Sequence, residues 1–311
     1  MSKKKKQNIV YVLLGCLAIL AVASVCVATV TVFSEKQKQN VDTESVVESE
    51  VAVESDTATD EETFDLSKLE PEIEAIIADI QSQVSGEWSV YITIPKTGDT
   101  LSINQKKMQA ASVIKLFIMG AVYEQYDELK EAYPYDDVDG LIESMITISD
   151  NVAADLLVCM LGRGDNVAGR AVVNEFCEKY GFENTSMDRM MGDDNIYSDN
   201  FTTTEDCAKI MQMMYEGEFE HSKEMLDYMS ASTRKTKIPA GVPETVRTAN
   251  KTGELDDVQN DTAIIFTKYP YIISVMADGV WAYQEPIDAI VEISKTTYDY
   301  IYAEQCTYVV P

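Results

Sequence analysis

Ser112-Val113-Ile114-Lys115, Ser149-Asp150-Asn151 and Lys251-Thr252-Gly253 stand in this order along the chain, about 34 and then about 100 residues apart. Each string alone is a weak signal, because S-x-x-K or K-T-G arises by chance in many proteins. Their order is what carries information. A second K-T-G, Lys96-Thr97-Gly98, precedes the serine and sits in the polar stretch Pro95–Thr100 between two strand-like runs, so it reads as a hairpin turn.

The chemistry of the three strings is complementary. Residues three apart on a helix share a face, which brings Lys115 beside Ser112. A serine hydroxyl is a poor nucleophile until a neighbouring base takes its proton, and a desolvated amine near other cations is neutral enough to serve. At the first turn of a helix, unpaired N–H groups favour developing negative charge. Ser149 offers a second hydroxyl able to relay a proton to a leaving nitrogen. Asn151 offers an amide to a substrate carbonyl and to Lys115, while Asp150 reads as a structural hydrogen-bonding residue at a helix N-cap. Lys251 supplies positive charge, Thr252 a hydroxyl for a substrate carboxylate, and Gly253 room for close backbone approach on an edge strand.

In this order and spacing the strings resemble the signature of the penicillin-recognising serine acyltransferases, and the chain from about Asp65 onward resembles the class A β-lactamase-like serine hydrolases. The resemblance implies an α/β (α+β) fold: a five-stranded antiparallel sheet flanked by helices, with an inserted all-helical lobe. It also implies an oxyanion hole made by the backbone N–H groups of Ser112 and Glu254. Ser112, Lys115, Ser149 and Lys251 are the expected catalytic residues. Asn151, Thr252, Gly253 and Glu254 are expected to bind substrate.

One departure bears on mechanism. Class A enzymes carry a glutamate in a stretch like Arg-Trp-Glu-Pro-x-Leu-Asn, and its carboxylate orients the water that hydrolyses the acyl-enzyme. The matching stretch here is Asp188-Arg189-Met190-Met191-Gly192-Asp193-Asp194-Asn195. Aligning Arg189 and Asn195 puts Met191 at the glutamate, and a thioether accepts no proton. Asp193 or Asp194 substitutes only with a shifted loop. The segment from Ser112 to Ser149 is also shorter than class A enzymes usually have, so a trimmed helical lobe is expected.

The ends and the charge frame this domain. Lys3 to Lys6 precede an uncharged apolar run from Ile9 to Phe33, roughly 25 residues, long enough to span a bilayer with some tilt. The expected organisation is a cytoplasmic stub (1–8), a single transmembrane helix (9–33), a disordered acidic tether (34–64) and a catalytic domain (65–311) outside the cell membrane. Cleavage of the run as a signal, or lipidation at Cys16 within Leu13-Leu14-Gly15-Cys16, are the rival readings. The net charge of −28 falls mostly on the domain and disfavours nucleic acid. A monomer is expected.

Cys159, Cys177, Cys207 and Cys306 show no metal-ligand spacing, and no cofactor is expected; Cys159 reads as a buried helix residue. The single histidine, His221, lies in a polar stretch and reads as a surface residue. A Ser-His-Asp triad has little to rest on, so the base must be something else.

Within the domain, helical spacing over Leu66–Val84 is followed by strand-like runs at Trp88–Pro95 and Leu101–Ile103. A largely helical stretch reaches about Thr233, with the helical lobe placed at about 120–235. Strand-like runs return at 245–249, 261–266 and 271–276, and a last helix covers 286–302.

Three activities suit this pattern. The first is a membrane-anchored β-lactamase-type hydrolase with slow deacylation. The second is a D-Ala-D-Ala carboxypeptidase or another wall-peptide or ester hydrolase. The third is a non-catalytic penicillin-binding sensor. The expected partner is a small-molecule β-lactam or a D-Ala-D-Ala-like peptide.

Overall fold

The computed structural model describes residues 63–193 and 198–307, all within one compact unit spanning 60–311. The expected stub, transmembrane helix and nearly all of the tether lie outside the described residues, as do Asp194 and Asn195. Among the described residues no helix is long and apolar enough to cross a membrane.

Helix α1 (Glu70–Gln83) opens with Pro71 in its first turn and buries Ile73, Ile77 and Ile80, spaced four and three apart on one stripe. Strands β1 (Glu87–Ile94) and β2 (Asp99–Ile103) form an antiparallel hairpin, and Lys96-Thr97-Gly98 is its turn, with Gly98 at φ 76°. A two-residue strand, β3 (Met108–Gln109), and a 3₁₀ turn (Ala111–Ile114) lead directly into α2 (Lys115–Glu124).

Short helices α3 (Tyr126–Ala132), α4 (Val138–Thr147), α5 (Asn151–Leu161) and α6 (Asn166–Lys179) follow, then β4 (Phe201–Thr202), α7 (Thr204–Glu216) and α8 (Ser222–Ser230). Side-chain caps set several of their starts. Asp150 accepts from the N–H groups of Val152 and Ala153, and Asp165 from those of Val167 and Ala168. Gly217, left-handed at φ 77°, ends α7.

Strands β5 (Thr248–Leu255), β6 (Val258–Ile265) and β7 (Tyr271–Asp278) complete the sheet, and α9 (Gln284–Thr307) closes the described chain. The sheet order is β2-β1-β7-β6-β5, all antiparallel, so strands from both ends of the domain meet in one layer. One core lies between the sheet and α1 with α9, around Trp88, Val90, Ile92, Ile273 and Ile290. A second lies in the helical lobe, around Phe117, Ile142, Leu157 and Met211.

The expected α/β architecture with a five-stranded antiparallel sheet is therefore present, with five differences in detail. Strand β5, at 248–255, joins the end of the run expected at 245–249 and the edge-strand residues 251–253 into one strand, and β6 begins at 258 rather than 261. Their central residues Asn250, Lys251, Thr252, Gln259, Asn260 and Asp261 are polar yet buried, which hides these strands from a hydrophobic pattern. Phe64, assigned to the tether, is buried with its ring edge-on to Tyr269 at 5.2 Å. Cys159 is half-buried rather than buried, and His221 is half-buried, stacked 4.8 Å from Tyr123 and tilted against Tyr126 at 4.7 Å. Among the described residues Cys159, Cys177 and Cys207 are free thiols.

Candidate active site

The three motifs meet where the 3₁₀ turn, the loop before α5 and the edge strand β5 come together. A cleft of about 170 Å³ there is lined by Ser112, Ser149, Asn151, Arg234, Thr252 and Glu254.

Ser112 lies in the 3₁₀ turn, directly after Ala111 in the left-handed region at φ 46°. Ser149 is itself left-handed at φ 63°. A side-chain-bearing residue held there costs about 1–3 kcal/mol, and such strain persists only where the surroundings over-determine it. Both strained positions flank the cleft.

Gly253 explains how β5 comes so close to the serine. A Cβ at this position would lie 2.8 Å from the carbonyl oxygen of Ala110 and 3.1 Å from the nitrogen of Val113. Only a residue without a side chain lets the strand pack directly on the turn that carries Ser112. Asn260 ties the same junction from behind, donating to the carbonyls of Gln109 and Ala110 at 2.9 and 3.1 Å.

Lys115 is fully buried, and its Nζ touches four oxygens. Two are obligate acceptors at short range: Ser149 O at 2.7 Å and Asn151 Oδ1 at 2.6 Å. The other two are hydroxyls at 3.2 Å, Ser112 Oγ and Ser149 Oγ, each able to donate as well as accept. A neutral amine matches this set, with two N–H groups on the obligate acceptors and a lone pair facing the hydroxyls. Burial drives the same way and lowers the Lys115 pKa to about 8. Asp150 and Asp155 oppose the shift and Arg234 adds to it.

Lys251 is also buried. Its Nζ donates to Ser149 Oγ at 2.9 Å and to the Thr252 carbonyl at 2.8 Å. Burial, with the Lys115 charge as the next cause, holds its pKa well below the usual lysine value. Behind the strand, buried Asp261 accepts from Asn250 Nδ2 at 3.1 Å and from the Ile238 N–H at 3.0 Å. Burial pushes this carboxyl up to about 6, although Lys237 and Lys251 pull it down.

Met191 lies half-buried against the helical-lobe core, and its Sδ accepts from Asn200 Nδ2 at 3.7 Å. The backbone here is held from α5. Asp155 accepts from the N–H of Met191 at 2.6 Å and from that of Gly192 at 2.9 Å. Asp155 is four residues beyond Asn151, hence on the same face of the helix. The Asp193 carboxylate turns back on its own loop and accepts from the Met190 N–H at 3.3 Å. Arg189 pairs with Asp199 at 3.0 Å rather than with a residue of the cleft.

The structure thus brings together Ser112, Lys115, Ser149, Asn151, Lys251, Thr252 and Glu254, with Gly253 at the junction. Sequence reasoning missed Arg234, Asp155, Lys237 and Asp261. Arg234 is one of ten cations between the second and third motifs, so its sequence position did not single it out. No local pattern marked the others.

The family model described as the β-lactamase enzyme family matches residues 68–140 and 135–301. No curated relative matches the sequence significantly. Among solved structures, PBP-A superposes with a TM-score of 0.63 at 23% identity, covering 74% of this chain and 96% of its own. A single-residue variant of PBP-A, in an acyl-enzyme complex with penicillin G, gives 0.66 and 23%, with 76% and 97% covered. A β-lactamase from Sphaerobacter thermophilus DSM 20745 gives 0.66 and 23%, with 78% and 98% covered. At these identities the superpositions speak to fold, and the family match covers most of the sequence. The chain belongs to the β-lactamase enzyme family and has its serine acyl-enzyme hydrolase fold.

Proposed function

We propose that this protein is a membrane-anchored, extracytoplasmic serine hydrolase of the class A β-lactamase type, opening β-lactam rings through a Ser112 acyl-enzyme that deacylates slowly. The observation that carries the reading is the environment of Lys115, a buried amine whose free contacts are the hydroxyls of Ser112 and Ser149. Neutral Lys115 takes the Ser112 proton as Oγ attacks the carbonyl carbon. The oxyanion forms toward the backbone N–H groups of Ser112 and Glu254. As the C–N bond breaks, Ser149 Oγ gives its proton to the leaving nitrogen, and the proton held by Lys115 replaces it. Lys251 at 2.9 Å favours negative charge developing on Ser149 Oγ during this transfer.

Slow deacylation follows from Met191 standing where class A enzymes carry glutamate. Removing a positioned base costs roughly 10²–10⁴-fold. The test is a chromogenic cephalosporin followed by colour and intact mass together. Persistent adduct with slow colour supports the reading; rapid colour without adduct defeats it.

The same loop favours a second reading, a D-Ala-D-Ala carboxypeptidase, because those relatives share the three motifs without the glutamate. Release of D-Ala from a wall-type peptide, with no β-lactam adduct, would assign the carboxypeptidase activity instead. Anchoring rests on the apolar run 9–33 behind four lysines. Protease added to intact protoplasts should remove the domain, and full protection would overturn that orientation.

A further inference from the structure

We propose that Glu254, fixed by the buried ammonium of Lys237, is a specificity carboxylate that receives a cationic group of the substrate on the β5 side of the cleft. This rests on the acylation reading above and adds to it the charge the acyl donor carries.

The cleft has one acid and one permanent cation among its lining residues, Glu254 and Arg234. Side chains two apart on a strand project from the same face, so Glu254 stands beside Thr252, whose hydroxyl is suited to a substrate carboxylate. Lys237 Nζ reaches Glu254 Oε1 at 3.1 Å, the Gly253 carbonyl at 3.3 Å and the Asn260 carbonyl at 3.1 Å. Those three contacts use all the donors of an ammonium that is fully buried. The pair is therefore asymmetric. Its cation faces the protein interior, whereas Glu254 keeps 32% of its side chain exposed and lines the cleft.

A carboxylate offers about four lone-pair sites, and one contact with Lys237 leaves acceptor capacity toward the cleft. A simple anionic β-lactam brings its own carboxylate to Arg234 and Thr252 and meets a like charge at Glu254. A zwitterionic acyl donor satisfies both walls, with its carboxylate on Arg234 and its ammonium on Glu254. The site therefore selects donors bearing an ammonium as well as a carboxylate.

Two cephalosporins test this. Cefepime and cefotaxime share one acyl side chain, but cefepime carries a quaternary ammonium on its C3 substituent and cefotaxime a neutral acetoxymethyl. The rate of adduct formation at Ser112 is measured by intact mass with full-length protein, wild type and Glu254→Gln, an exchange that keeps an acceptor for Lys237. The cefepime-to-cefotaxime rate ratio should fall by about tenfold in the variant, as expected for one unit charge at the wall of a half-exposed cleft. In the wild type the ratio should also shrink between about 0.02 and about 0.5 M salt, which decides the matter should the variant fail to fold. An unchanged ratio in the variant, or a salt-independent ratio if only the wild type is measurable, would overturn the proposal. Absence of an adduct with either compound would instead overturn the acylation reading, and this inference with it.

Discussion

The Nζ of Lys251 lies 2.9 Å from the Ser149 hydroxyl, and that hydroxyl lies 3.2 Å from Lys115. The third motif is thereby wired to the first through the second. Burial lowers the pKa of both lysines, and the Lys115 charge lowers that of Lys251 further. The general base proposed here is thus a product of burial at this junction rather than of lysine as such.

Acylation should therefore depend on pH in a defined direction. With the Lys115 pKa lowered to about 8, only about one-tenth of the enzyme holds the neutral base at pH 7. Stopped-flow acylation rates should rise with pH and level off above about 8. Lys115→Ala should lower the rate about 10²-fold or more and abolish that rise. A flat wild-type profile from pH 6 to pH 9 would count against Lys115.

Gly253→Ala should damage both packing and activity. Its new Cβ would sit 2.8 Å from the Ala110 carbonyl, which is backbone and has nowhere to go. Forced displacement costs typically about 1–3 kcal/mol, visible as a lowered thermal midpoint. Acylation should fall further than stability explains, because the turn that moves carries Ser112. A fully active alanine variant would show that the approach of β5 is dispensable.

Asp155→Ala should loosen the loop at Met191. It removes the acceptor for two backbone N–H groups, at a cost of about 1–3 kcal/mol. Hydrogen exchange at Met191 and Gly192 should speed up in the variant. Unchanged protection there would show that the loop is held by something else.

On the proposed alignment, Met191→Glu should supply a base for deacylation. The wild type should show a burst near one equivalent followed by a slow steady state. The variant should speed the steady state more than the burst, by up to about 10²–10⁴-fold. Rapid wild-type turnover without a burst would contradict the role given to this position.

Much of the site was legible because its motifs are local. Ser112 and Lys115 are one helical turn apart, and Asp150 caps α5 in the same three residues that deliver Ser149 and Asn151. What stayed hidden was set by distant packing. Lys237 is separated from Glu254 by a strand and a loop, and Asp261 faces Thr252 only through the register of β5 and β6. The ends of those strands were misjudged for a related reason: a sheet edge that builds a polar site buries Asn250, Lys251 and Asn260 where an apolar pattern is expected. His221, read as a surface residue, packs on two tyrosines that arrive from another part of the chain.

The central claim is that Ser112 is the nucleophile, and one measurement tests it most directly. Full-length protein is incubated with benzylpenicillin, and intact mass with peptide mapping follows the product. The wild type should gain one penicilloyl group on the peptide containing Ser112, and Ser112→Ala should gain none. Equal labelling of the alanine variant would contradict the account.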